Sequence, residues 1–214
     1  MWCPKDKNDF MSNINGQISP HNKVGQSLIN CIQSNTLRNI IDIGTWNGMG
    51  STRCFLLGLK NNNETEFYTL ETNKEKHVIA QTNLSKLITS KTKFLWGSIL
   101  KTSDITDIFT IFPELLSNKE FIRWHHLDIE NIKQSPYILS ELPSEIDFIL
   151  FDGGEFTTYY EFQILFPRCK KFIALDDTNV SKCKKIREML RNHSEWKEIE
   201  SIEERNGFSL FQHI

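Results

Sequence analysis

The chain has 214 residues, of which 39% are hydrophobic and 15 are Phe, and its formal net charge is -2. This length sets a single domain with a substantial core, and the near-neutral balance supplies no basic footprint for nucleic acid or an anionic membrane surface. Five scattered cysteines, Cys3, Cys31, Cys54, Cys169 and Cys183, form no CxxC pair, which argues against a disulfide framework or a structural zinc site and fits a reducing, cytoplasmic setting.

Residues 1–22 read as an N-terminal arm, and its opening MWCPKDKNDF is too polar for a signal peptide. Residues 23–214 read as one domain, with no apolar run long enough to cross a membrane. Val24, Leu28, Ile29 and Ile32 recur at helical spacing. NIIDIG is a short apolar run and predicts a buried strand, followed by a helix over 51–59. EFYTLET predicts the second strand. The next helix spans 74–88, with Val78, Ile79, Leu84, Leu87 and Ile88 on its apolar side. KFLWGSI is the third strand. Residues 101–145 break the rhythm and read as an insertion or lid, with a helix over 108–116 and the polar cluster Arg123-Trp124-His125-His126. IDFILFDGG, apolar on both faces, is the fourth strand, with a helix over 159–166 behind it. KFIALDD is the fifth strand, followed by a helix over 181–192 whose Lys182, Lys184 and Lys185 read as a solvated face. WKEIESI and GFSLFQHI read as a hairpin with Asn206-Gly207 near the turn. Alternating strands and helices, with strands apolar on both faces, predict an α/β chain: a Rossmann-like, doubly wound, mostly parallel seven-stranded sheet, helices on both faces and an antiparallel C-terminal strand.

Ligands of open parallel sheets bind beyond the carboxyl ends of the strands, and Gly44, Gly48 and Gly50 fall there. Their GxxxGxG spacing differs from the dinucleotide GxGxxG, and no GK[ST] ending is present to hold a triphosphate. Ser51 and Thr52 are suited to cap the following helix. Asp42, two residues before the first glycine, would repel a pyrophosphate and suit an ammonium. Glu71, ending the second strand, is suited to accept a ribose hydroxyl pair. The site therefore prefers a nucleoside with a cationic tail and no phosphates, a description that S-adenosylmethionine meets.

DIGTWNGMGST, the acid-ended YTLET, and DFILFDGG before a Tyr-containing helix together resemble class I S-adenosylmethionine-dependent methyltransferases. The closest branch is that of small-molecule O-methyltransferases of catechol and macrolide-sugar type, and the resemblance spans 39–179. It implies that Asp42, Gly44, Thr45, Trp46, Asn47 and Gly48 surround the methionine part and that Ser51 and Thr52 start the helix beneath it. Glu71 would hold the ribose, with Thr72 or Asn73 and Ser98 near the adenine. Asp152 and Gly153 would sit at the active-site end of the fourth strand. Asp152, Asp176 and Asp177, followed by Asn179, gather oxygen donors of the kind Mg²⁺ takes; carboxylates that anchor loops without an ion are the other reading of this cluster. The expected catalytic groups are Asp152 and Asp177. Where DGDH or DGDL is usual in this branch, the chain has Gly154-Glu155, and Glu155 is the acid available to stand in.

Of His125 and His126, at most one can face a ligand, and packing is the favoured role. Trp46 and Trp124 are candidates to stack on ligand rings or to pack. The expected reaction is O-methylation of a small hydroxylated molecule (a sugar, a glycoside or a catechol-like compound). N-methylation of another acceptor, or a degenerate fold that binds without turnover, are the alternatives. The expected partner is a small-molecule acceptor, with neither nucleic acid nor membrane, and a homodimer is the assembly the resemblance suggests.

Overall fold

The computed structural model describes residues 18–214, so most of the expected arm, and Cys3 with it, lies outside the described residues. Helix α1 (Lys23–Ser34) opens on Asn22, whose side chain accepts the Gly25 N–H at 2.9 Å. Then follow β1 (Asn39–Ile43), α2 (Ser51–Gly58), β2 (Glu66–Glu71), α3 (Lys74–Leu84) and β3 (Thr92–Trp96). The stretch between β3 and β4 (Ile146–Phe151) carries the short α4 (Ile108–Ile111) and the longer α5 (Lys119–Gln134). Helix α6 (Thr158–Leu165), β5 (Cys169–Asp176), α7 (Ser181–Arg191), β6 (Trp196–Ile202) and β7 (Phe208–His213) complete the chain.

The strands form one seven-stranded sheet in the order β3-β2-β1-β4-β5-β7-β6. Pairings from β3 through β5 are parallel, and β7 runs antiparallel to both β5 and β6. This is the expected doubly wound sheet with its reversed C-terminal strand. Successive side chains of a strand point to opposite faces, and here both faces are apolar. Ile40, Phe148 and Leu150 pack on one side with Leu28 of α1 and Phe55 of α2. Ile41, Ile149 and Phe151 pack on the other with Phe162 of α6 and Ile186 of α7. Because β1 lies between β2 and β4, the order in which strands are added to the sheet reverses beside it, and a crevice opens at the carboxyl ends of these strands.

A third apolar cluster ties Leu100, Ile108, Phe112, Leu115 and Ile132 to Phe156 and Tyr160. It seats the β3–β4 stretch over that crevice. The expected single helix over 108–116 is broken there. Pro113 has no N–H and drives Phe112 out of helical geometry, to φ -125° and ψ 72°. Helix α5, absent from the sequence reading, then carries Arg123 to His126. Helix α3 is shorter than expected. It buries Ala80 and Leu84, which fill the space against Gly48, and leaves Val78 exposed; Ile88, also exposed, lies beyond its end.

Candidate active site

The loop from β1 to α2 makes its turn with three residues at positive φ: Gly44 at 94°, Trp46 at 47° and Gly48 at 79°. A Cβ on Gly44 would collide with the carbonyl of Asp152, so only glycine lets the first and fourth strand ends come this close. Beneath the loop, Asp42 is completely buried. Ser51 and Thr52 donate to its two oxygens at 3.0 and 2.6 Å, and Thr69 donates at 3.2 Å. Burial pushes its carboxyl up to about 7 against these three hydroxyls. Two expectations are corrected by this arrangement. Asp42, expected beside a ligand ammonium, lines neither cavity described below and gives its oxygens to the three hydroxyls. Ser51 and Thr52 do not cap α2, whose cap residue is Gly50; their hydroxyls are spent on Asp42.

Glu71 stands as expected at the end of β2. Its Oε2 accepts the Trp46 N–H at 2.7 Å and its Oε1 accepts the Asn73 N–H at 2.8 Å. One carboxylate thus fastens the loops after β1 and β2 together, and each oxygen keeps a further lone pair for a ligand. Burial raises the carboxyl above its ordinary value, opposed by these two N–H groups. Glu71 lines a cavity of about 430 Å³ together with Gly44, Trp46, Thr72, Ser98, Asp152 and Gly153. Small-ligand sites span about 300–1,000 Å³, so the volume fits a nucleoside-sized molecule. Thr45, Asn47 and Ser51 line a second cavity instead, and Gly48 and Thr52 line neither.

The first cavity is more acidic than its sequence motifs suggest. Helix α5 adds Asp128 and Asn131, and α6 adds Glu161. Burial, with Glu71 and Glu155 nearby, pushes Asp128 up to about 7. Burial and the Asp128 charge push Glu161 up to about 8. Glu161 Oε2 has no hydrogen-bond partner within the protein. The Asn131 amide lies 3.4 Å from that of Asn73, so the β3–β4 stretch closes over the mouth of β2.

A second cavity of about 260 Å³ adjoins the first and shares Gly44, Trp46, Asp152 and Lys182 with it. Here the expected acids do converge: Asp152, Asp176 and Asp177 each bring an oxygen within 4.8 Å of the others. Asp177 takes φ 56°, a left-handed geometry that Asp tolerates, and this turns its carboxylate back toward β4. Asn179 is not part of the group; it bonds Glu203 and Arg187.

Two cations already occupy the cluster. Lys182 Nζ lies 2.9 Å from Asp152 Oδ1 and 2.7 Å from Asp177 Oδ2. Arg205, from the turn between β6 and β7, holds both oxygens of Asp176 at 3.2 and 3.1 Å. Burial alone would lower the Lys182 pKa, but Asp152 and Asp177 raise it well above the ordinary value, so it is an ammonium. Burial would raise Asp177, yet Lys182 and Arg205 outweigh it and hold the carboxyl below its ordinary value. Asp177 is therefore a poor base. These residues as they stand do not fit a divalent ion, since its place is taken by side-chain nitrogen. Lys182 thus turns into the site, its side chain 12% exposed, and is not on a solvated helix face. Glu155 lines neither cavity and accepts the Lys182 N–H at 3.2 Å.

His125 is buried and packs its ring edge against Phe109 at 5.8 Å, while Trp124 is half exposed beside Phe121; neither lines a cavity.

No family model matches the chain, and no curated protein matches it in sequence. Solved structures do. An O-methyltransferase from Bacillus cereus in complex with SAH is 17% identical, over 100% of this chain and 94% of its own, with a TM-score of 0.61. An SAH-bound methyltransferase from Podospora anserina is 12% identical over 100% of this chain and 99% of its own, with a TM-score of 0.60. A methyltransferase from Geobacter sulfurreducens is 9% identical over 99% and 91%, also at 0.60. These likenesses show that the chain is built on the class I S-adenosylmethionine-dependent methyltransferase fold.

Proposed function

We propose that the chain is an S-adenosylmethionine-dependent O-methyltransferase acting on a small hydroxylated molecule. One observation carries the reading: Glu71, fixed by the Trp46 and Asn73 N–H groups, faces a nucleoside-sized cavity at the switch point of the sheet. Its oxygens would accept the ribose hydroxyls. Ser98 and the α5 residues Asp128 and Asn131 would face the adenine. Asp152, at the junction of the two cavities, replaces Asp42 as the acid nearest an ammonium. Glu71, Asp128, Glu161 and Asp152 face Lys76 and Lys182 in this lining; with Glu161 largely protonated and Asp128 partly so near neutral pH, the lining carries no surplus of positive charge to hold phosphates.

When bound, S-adenosylmethionine supplies a methyl group already activated on a sulfonium. What remains for the chain is alignment and exclusion of water. The β3–β4 stretch covers the first cavity and acts as the lid. The second cavity is small and polar, with Thr45, Asn47, Ser51 and Asn206 on its walls, and suits one ring bearing hydroxyls. Lys182 faces both cavities, and its ammonium would favour the deprotonated form of an acceptor hydroxyl. That proton would pass to solvent, and the oxygen's negative charge is spent as the O–CH₃ bond forms and the S–CH₃ bond breaks. Methyl transfer from labelled S-adenosylmethionine to a panel of sugars, glycosides, catechols and amines tests the reading. A methyl ether product is expected. Methylation of nitrogen would favour the N-methyltransferase reading, and SAH binding with no transfer to any acceptor would favour a degenerate binding protein.

A further inference from the structure

The acid cluster at the ends of β4 and β5 invites a divalent ion, yet its charge is balanced from within. Three carboxylates face two fixed cations, Lys182 and Arg205. Lys182 Nζ sits between Asp152 and Asp177, at 2.9 and 2.7 Å, which is the position an ion bridging those two acids would need. Arg205 takes one lone pair on each oxygen of Asp176 and balances the charge of that carboxylate. Both cations are held in place. Lys182 lies in the first turn of α7, and Glu155 accepts its backbone N–H. Arg205 is set by a turn at φ 59° that folds back over the end of β5. Asp177 Oδ1 is buried without a hydrogen bond and lies 3.7 Å from Arg205 Nη2. Mg²⁺ fills much of its shell with water but still needs one or two carboxylates facing it, and the shared space between Asp152 and Asp177 holds Nζ instead. An ion entering beside the ammonium would also meet strong repulsion at short range.

We infer that Lys182 is a built-in replacement for a divalent ion: the chain keeps its tri-carboxylate cluster in a metal-free state, and a single lysine bars the metal. The inference concerns the same site as the methyltransferase reading but does not depend on turnover. It specifies that the cation beside the acceptor is fixed by the fold and is not exchangeable.

The test is a Mn²⁺ titration of the full chain at neutral pH, read as loss of the free-ion electron paramagnetic resonance signal, on the native protein and on Lys182→Ala. The native protein is expected to leave the signal unchanged up to about 1 mM Mn²⁺. Lys182→Ala removes one of the two cations and opens their place, and is expected to bind Mn²⁺ at least about tenfold more tightly. Asp152→Asn added to Lys182→Ala is expected to remove that gain. Should Lys182→Ala not fold, Lys182→Gln keeps most of the volume, removes the charge and carries the same expectation. Stoichiometric binding of micromolar Mn²⁺ by the native protein, lost in Asp152→Asn, would overturn the inference, as would a lysine variant that folds and binds no better than the native chain. Binding of SAH, measured separately, reports on the methyltransferase reading, so the two can fail independently.

Discussion

Replacing Glu71 by Gln probes the site with little change of volume. In the native chain each carboxylate oxygen accepts one backbone N–H, from Trp46 at 2.7 Å and from Asn73 at 2.8 Å. An amide has one acceptor and one donor, so its NH₂ must face one of those two N–H groups. The same atom can no longer accept a ribose hydroxyl. A hydrogen bond to a charged group contributes about 1.5–3 kcal/mol. Loss of one such bond to the ribose therefore weakens SAH binding about 10- to 150-fold. The unmatched N–H also costs the ligand-free protein about 1–3 kcal/mol. Isothermal titration with SAH reads the first effect and urea unfolding the second. A folded Glu71→Gln protein that binds SAH within about threefold of the native affinity would refute the assignment of Glu71 to the ribose.

Thr52→Val removes the 2.6 Å hydroxyl bond to buried Asp42 while keeping the shape, and should lower unfolding stability by about 1.5–3 kcal/mol, read by urea denaturation. Acids with raised folded pKa values, Asp128 at about 7 and Glu161 at about 8, bind more protons in the folded state than in the unfolded one between pH 4 and those values. Stability from these groups is therefore greatest at low pH and lost as pH rises through about 7–8. Between pH 6 and pH 8 the unfolding midpoint of the ligand-free protein should fall, and Glu161→Gln, which stays neutral, should flatten that slope; an unchanged slope would contradict the protonated state of Glu161. Gly44→Ala forces a side chain at φ 94° against the Asp152 carbonyl and should cost about 2–4 kcal/mol by the same urea assay, with loss of SAH binding.

The sheet was legible because its strands are short, apolar on both faces and punctuated by glycine. Which strands pair, such as Ile41 beside Ile149, was not legible, because strands apolar on both faces carry no register signal. The strand boundaries located Glu71, since an acid at the end of β2 must lie beside the loop that follows β1. What stayed hidden depends on elements meeting in space. Lys182 shares a lysine-rich stretch with Lys184 and Lys185, and nothing in that spacing distinguishes the one that turns inward. Only the start of α7 beside the ends of β4 and β5 does so. Arg205 reaches Asp176 because the β6–β7 turn folds over β5, a contact 29 residues apart in sequence. Asp128 lies on a helix with a mostly polar sequence, whose apolar stripe was obscured by the His and Trp cluster. Asp42 shows the reverse error: an acid beside a glycine loop reads as a ligand contact, but three nearby hydroxyls make it a buried anchor.

The most direct measurement is titration of the native chain with SAH and, in parallel, with ATP. A nucleoside-sized cavity without a surplus of cations predicts one SAH site per chain with Kd in the micromolar range, about -8 kcal/mol, and no heat from ATP at the same concentrations. Silence from SAH at millimolar concentration, or tighter binding of ATP than of SAH, would contradict the account.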